Sequence, residues 1–254
     1  SGHYDYENNY LLTNIFVPEL SVGKTIIDSC LVEVSNRGDA LRMNLSGINP
    51  KKNYDFAIHA DLKARGDSVQ SLLNWKSSKH EKYEGTIDFT TYFTHDESWT
   101  GSIYLNQTDM IFNDSVWTRY PADIEINSKR ISIDNLWARH EQQYIHIDGD
   151  VSHNPQDKIK VELESVDLKY LFEALNIPAL EFGGFATGII EAKDIYKTRE
   201  LNTQLNVTDF SFNQTLFGDL DLQGSWDEAI QGINMTGNAS KSADSYIDIK
   251  GIIY

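Results

Sequence analysis

Apolar residues recur at every second position along much of this chain, and glycine often closes the run. Met43-Leu45-Gly47, Ile145-Ile147-Gly149, Leu220-Leu222-Gly224, Ile233-Met235-Gly237 and Ile247-Ile249-Gly251 all follow that pattern. Period two is strand spacing, so both apolar side chains and the glycine fall on one face. The Asn, His, Asp, Gln, Thr and Lys between them fall on the other. Glycine on the apolar face leaves a gap there or lets the strand bend inward. The last three glycines are 13 and 14 residues apart, which suits strands joined by short turns. Alternation continues at Ile87-Phe89, Ile103-Leu105, Ile124-Ile126, Ile131-Ile133, Ile159-Val161-Leu163 and Leu201-Leu205-Val207. Turns are predicted at 150–157, 193–199 and 226–232.

Two segments break the period. Leu168, Leu171, Phe172 and Leu175 are spaced i, i+3, i+4 and i+7, with Asp167 as N-cap and Asn176 and Pro178 to end the run. That spacing predicts a helix over 167–176. Val69, Leu72 and Leu73 after Asp67-Ser68 predict two further helical turns. Residues 1–40 are the least regular: Leu31, Val32 and Val34 suggest a strand, and Asn36-Arg37-Gly38-Asp39 a turn. The expected fold is all-β: an elongated, curled, antiparallel-rich sheet forming an apolar groove, with one or two short helices. Residues 1–40 are expected as an irregular N-terminal part of the assembly that continues over 41–254.

Composition supports strands: 25 Ile stand against 13 Ala, with 13 Tyr, 11 Phe and 15 Thr. The net charge of -16 leaves no basic face for nucleic acid or for unaided docking on an anionic membrane. No apolar run exceeds three residues, far short of the roughly 20 that a membrane-spanning helix needs. Ser1 to Tyr10 carries no basic leader. The Ser1-Gly2 start reads as the remnant of a removed tag, so the chain is expected to be an excised part of a longer protein. Cys30 is the only cysteine, which excludes an intrachain disulfide and a cysteine zinc site.

Candidate chemistry is sparse. His146, Asp148 and Asp150 alternate along one strand with His153 nearby, and Asp219 and Asp221 alternate with Leu220 and Leu222. Both sets fit a solvated strand face better than a metal site, because the intervening residues are those of the apolar face. No phosphate-binding loop, zincin helix or nucleophile elbow is present. Neither an enzyme nor a cofactor is expected, though paired carboxylates of a β-rich glycan hydrolase meet in space and not in sequence. Trp75, Trp99, Trp117, Trp137 and Trp226 and seven Asn-X-Ser/Thr triplets (at Asn44, Asn106, Asn113, Asn206, Asn213, Asn234 and Asn238) allow an alternative. It is a secreted β-sandwich module that binds carbohydrate or acts as an adhesin.

Four features occur in an order that resembles the TamB family of AsmA-like envelope proteins. They are the pair Ile131-Ile133 and Ile145-Ile147-Gly149; the strand 158–163 leading into a short helix; the loop Gly183-Gly184-Phe185-Ala186-Thr187-Gly188; and Phe217-Gly218-Asp219-Leu220 with Trp226-Asp227 before two glycine-ended strands. The resemblance covers about 100–254 well and 41–99 only in texture. It implies a β-taco groove in the periplasm of a diderm bacterium, within a parent protein anchored in the inner membrane. It implies passage of phospholipid between the membranes, with acyl chains in the groove. It also implies outer-membrane protein assembly with a BamA-like barrel partner. It carries over no catalytic residue. The expected groove lining is Ile131, Ile133, Ile145, Ile147, Ile159, Val161, Leu220, Leu222, Ile233, Met235, Ile247 and Ile249. A groove needs no nucleophile: an acyl chain of about 16 carbons holds roughly 13 kcal/mol against water, at about 0.8 kcal/mol per CH₂.

Overall fold

A computed structural model describes the chain except residues 23–24, 37–38, 51–54, 79–82, 96–97, 113, 170–181, 243–244 and 254, and gives only the backbone of Val22, Thr25 and Ile253. The described residues form two compact units, Ser1–Ser128 and Lys129–Tyr254. The protein is all-β, with antiparallel strand pairing within each unit.

The first unit holds β1 (Gly2–Asp5), β2 (Tyr10–Val22), β3 (Thr25–Ser35), β4 (Leu41–Pro50), β5 (Asp55–Arg65), β6 (Ser68–Ser77), β7 (Tyr83–His95), β8 (Trp99–Leu105), β9 (Thr108–Phe112), β10 (Ser115–Arg119) and β11 (Ala122–Asn127). Strands β1 to β8 pair in chain order. The long β7 takes two neighbours on its far edge. Phe89–His95 pair with β8, and Tyr83–Gly85 pair with β9. Then β10 follows β9, and β11 returns beside β8.

The second unit is a meander of β12 (Arg130–His140), β13 (Gln143–Ser152), β14 (Lys158–Asp167), β15 (Phe182–Lys193), β16 (Glu200–Phe212), β17 (Thr215–Asp227), β18 (Gly232–Ser242) and β19 (Ser245–Ile253). Each strand pairs with the next. The turns fall within the segments predicted for them, over 153–157, 194–199 and 228–231.

Three bulges in this unit share one construction. Ile133 to Leu136, Leu163 to Val166 and Val207 to Phe210 each contain one residue more than the facing strand. The extra residue is left-handed: Asn135 (φ 54°), Ser165 (φ 49°) and Asp209 (φ 53°). Its N–H, turned away from the ladder, donates to a side-chain oxygen across the hairpin. The acceptors are Asp148 Oδ1 at 3.1 Å, Thr187 Oγ1 at 2.9 Å and Asp219 Oδ1 at 3.2 Å. Beside each acceptor sits a glycine with positive φ: Gly149 (117°), Gly188 (148°) and Gly218 (97°). A Cβ on any of the three would drive into a carbonyl oxygen of the next strand, that of Lys158, Gln204 or Ser240. Bulges raise the local twist and bend of a strand.

Three expectations change. Residues 1–40 are not irregular; they contain β1, β2 and β3, with β1 paired to β2 and β2 to β3. Their period is blurred because β2 and β3 carry apolar side chains on both faces: Ile15 and Val17 on one, Phe16 on the other, where Phe16 and Leu31 lie opposed and exposed. The single assembly expected over the whole chain is instead two compact units that meet in sequence at 128/129. The helical turns predicted at Val69, Leu72 and Leu73 are instead part of β6, since ladder pairing with β5 and β7 over its whole length outweighs a local spacing of three apolar residues. At the other predicted helix, Asp167 Oδ1 accepts the Lys169 N–H at 2.9 Å, an N-cap contact, and Leu168 and Lys169 are helical. Leu171, Phe172 and Leu175 lie outside the described residues.

Candidate functional site: an apolar sheet face

Directly opposed residues of antiparallel strands project to the same face. In the second unit this rule links every strand. Ile133 opposes Gly149, and Ile131 opposes Val151. Ile145 and Ile147 oppose Leu163 and Val161, and Gly149 opposes Ile159. Val161 and Leu163 oppose Ile190 and Gly188, which oppose Thr203 and Leu205. Leu205 and Val207 oppose Leu222 and Leu220. Leu222 opposes Gly237, and Ile233 and Met235 oppose Trp226 and Gly224. Ala239 and Gly237 oppose Ile247 and Ile249. The twelve sequence-predicted residues therefore share one face that crosses all eight strands. The three-residue bulges keep this so, because an odd step of three in the apolar pattern is absorbed by the extra residue.

The face is not closed. Leu163, Val166, Val207, Leu220 and Ala239 are buried along its centre. Ile131, Ile133, Ile145, Ile147, Ile159, Val161, Leu222, Ile233, Met235 and Ile249 are half-buried, and Ile247 is 47% exposed. The unit is a single sheet among its described residues. Glycines on the face are partly filled by adjacent strands: a Cβ on Gly237 would meet Leu220 Cδ1 at 2.9 Å, whereas Gly251 at the margin faces open space.

The opposite face is a ladder of charges and amides. Asp150 pairs with Arg130 at 2.7 Å, Lys158 with Glu191 at 2.8 Å, and Lys193 with Glu200 at 2.9 Å. Lys160 pairs with Glu162 two residues along the same strand. Asn206 donates to Asp221 and Asn238 to Asp248, each at 2.9 Å. The Lys160 hydrogen bond, against some burial, holds the Glu162 carboxyl below the usual range, with His146 helping. Burial pushes the Asp150 carboxyl up, but hydrogen bonds from Ser132 and Arg130 outweigh it and leave it below its ordinary value.

The acids and histidines singled out in sequence thus have structural partners. Asp148 and Asp219 anchor bulges, and Asp221 belongs to the amide ladder. His146 stacks on Trp137 with ring centroids 3.8 Å apart and lies 3.5 Å from Glu162. His146, Asp148 and Asp150 are half-buried, not fully solvated: the Trp137 ring stacks on His146, Arg130 pairs with Asp150, and Asp148 takes the Asn135 N–H; Asp219 and Asp221 are exposed. His153 sits apart in the following turn beside Tyr196. Among the described residues no three His, Cys, Asp or Glu gather as metal ligands.

The first unit repeats the design. Val32 and Val34 oppose Leu45 and Met43. Met43, Leu45 and Gly47 oppose Leu62, Ala60 and Ile58. Ala60 and Ile58 oppose Leu73 and Trp75, which oppose Ile87 and Gly85. Phe89 and Leu105, Ile103 and Ile124 complete the face. The Trp75 ring occupies the space that a Gly85 side chain would take. Cys30 is fully buried opposite Val17, in the role of a small hydrophobe. Trp117 is buried, Trp137 and Trp226 carry Arg139 and Arg199 over their rings, and only Trp99 is widely exposed, edge-on to His95.

Sequence reasoning missed the phenylalanines at one end of the second unit's apolar face. Phe182, Phe210, Phe212 and Phe217, with Ile247 and Ile249, wall a cavity of about 320 Å³. The signal was present as Phe210-Ser211-Phe212 alternation displaced from Leu205-Val207 by the Asp209 bulge. No described helix is long and apolar enough to cross a membrane. No family model, curated protein or solved structure matches the chain.

Proposed function

We propose that this chain is part of a cell-envelope protein that carries phospholipid acyl chains along its apolar sheet face and performs no covalent chemistry. The observation that carries the proposal is the continuous aliphatic surface over all eight strands of the second unit, half-buried in a single sheet and backed by an ion-paired, amide-rich face. Such a face accepts hydrocarbon without a polar cost, while its reverse stays hydrated. The TamB resemblance extends the proposal to the periplasm, to movement of lipid between inner and outer membranes, and to a BamA-like barrel as assembly partner. Photo-crosslinking from Ile147 and Leu222 in living cells, with organic extraction of the purified protein, tests it. Phospholipid adducts at both positions are expected. Their absence at both, in a folded protein, would sink the proposal and leave a packed β surface.

A further inference from the structure

We infer that the phenylalanine-walled cavity of the second unit seats the methyl end of one phospholipid acyl chain; this deepens the carrier proposal and rests on it for the source of the chain. The cavity measures about 320 Å³, near the small end of ligand cavities, which run from about 300 to 1,000 Å³. That size suits a single chain and excludes a whole two-chain lipid. Its wall of four Phe and two Ile offers no donor or acceptor, so a hydroxyl, amide or carboxylate placed inside would lose its hydration unpaired. The rings stand as a cluster: Phe182 lies 5.3 Å from Phe212 and 6.1 Å from Phe210, and Phe210 lies 6.2 Å from Phe217.

The bulges explain why the cavity exists. Two strands separate β16 from β19, about 14 Å along a flat sheet at roughly 4.8 Å per strand. Phe210 and Phe212 of β16 nevertheless share a cavity with Ile247 and Ile249 of β19. Sharing that wall requires the sheet to bend toward its apolar side here, where register shifts occur between β15 and β16, between β16 and β17, and between β18 and β19. Leu220 and Ala239, both buried, lie between the two walls, and Ala239 opposes Ile247. Ile249 and Leu222 continue from the cavity into the open aliphatic face, so a chain lying on that face can end among the phenylalanines with its headgroup remote from them.

The test uses the purified chain and phosphatidylcholine vesicles doped with phosphatidylcholine whose acyl chain carries a diazirine at the methyl end or near the glycerol. Peptide mapping should place methyl-end adducts on Phe210, Phe212 and Ile249, at least fivefold above glycerol-end adducts. Ile247→Trp, at an exposed position that folding tolerates, should cut cavity adducts at least fivefold with unchanged circular dichroism. Equal labelling by the two probes, or labelling indifferent to Ile247→Trp, would overturn the inference. Stronger cavity labelling by palmitate with the same methyl-end diazirine would reassign the seat to free fatty acid and overturn it as stated. Vesicle-to-vesicle lipid transfer, followed in parallel, separates the two proposals. Transfer without cavity labelling removes the seat and keeps the carrier; cavity labelling without transfer removes the carrier and keeps a hydrocarbon seat.

Discussion

Asp148, Thr187 and Asp219 each accept the N–H of a left-handed residue that its own strand ladder leaves out. A donor stranded in partial burial costs about 1–3 kcal/mol, less where water can replace the acceptor. Thr187→Val, at the part-buried contact, should therefore lower the unfolding free energy by about 1–2 kcal/mol in urea titrations. Asp148→Ala and Asp219→Ala, at exposed contacts, should each cost less than about 1 kcal/mol. Asp148→Asn retains an acceptor and should recover most of the loss. Equal losses for Asn and Ala would show that the bulge contact is not what Asp148 contributes. The neighbouring glycines are stricter. Gly149→Ala, Gly188→Ala or Gly218→Ala combines a positive φ with a carbonyl in the way. Each should cost about 1–3 kcal/mol or more, whereas Gly251→Ala, in open space and without positive φ, should be nearly neutral by thermal unfolding.

At the level of strands, the polar ladder ties β12 to β13 through Arg130–Asp150 and ties β14 to β15 through Lys158–Glu191, while Lys160–Glu162 lies within β14. Asp150 and Glu162 are both held below their ordinary values in the folded chain. A carboxyl depressed by folding stabilises the native state above its unfolded value and ceases to do so as pH falls through its folded value. Unfolded Asp and Glu titrate near about 3.9 and 4.3. Stability should accordingly be flat from about pH 7 to 5, begin to fall near pH 4, and go on falling below it. Arg130→Gln and Lys160→Met together should flatten that acid limb more than they lower stability at neutral pH. A pH profile parallel to that of the unaltered chain would mean that these pairs contribute nothing to the acid limb. The slips of three in an otherwise two-residue period, at Ile133–Leu136, Leu163–Val166 and Val207–Phe210, are legible in sequence. They become bulges only because the facing strand supplies an acceptor and a glycine, and no local pattern says which strand that is.

For the molecule as a whole, the property at stake in each unit is whether the apolar face is a core or a surface. Ile147 lies on β13, the second of the eight strands of the second unit's face, opposite Leu136 on one side and Val161 on the other, and is half-buried. Ile147→Asp in a closed core would leave an unpaired buried charge, at a cost of several kcal/mol. On a face that keeps contact with water the carboxylate stays hydrated, and the expected loss is about 1–2 kcal/mol from lost apolar burial. The variant should fold, by circular dichroism and cooperative urea unfolding, and should stop lipid passage. An unfolded Ile147→Asp chain would assign the face to a packed interior.

The sequence by itself determined the all-β class, the strands that carry a clean period of two, and the one face of the second unit on which the twelve aliphatic residues lie. It could do so because side-chain direction in a strand depends only on parity, and the chain keeps parity except at slips that are visible as steps of three. Tertiary structure decided what parity does not contain. It turned residues 1–40 into paired strands although their apolar residues face both ways. It made a strand of Val69, Leu72 and Leu73, because ladder hydrogen bonds to two neighbours outweigh a local helical spacing. It divided the chain at residue 128, where no compositional change marks a boundary. It gave Asp148 and Asp219 their partners, and it gathered four phenylalanines from three strands around one cavity. Those outcomes depend on register between segments distant in sequence and on the bend that bulges impose, and neither is a property of any single stretch of residues.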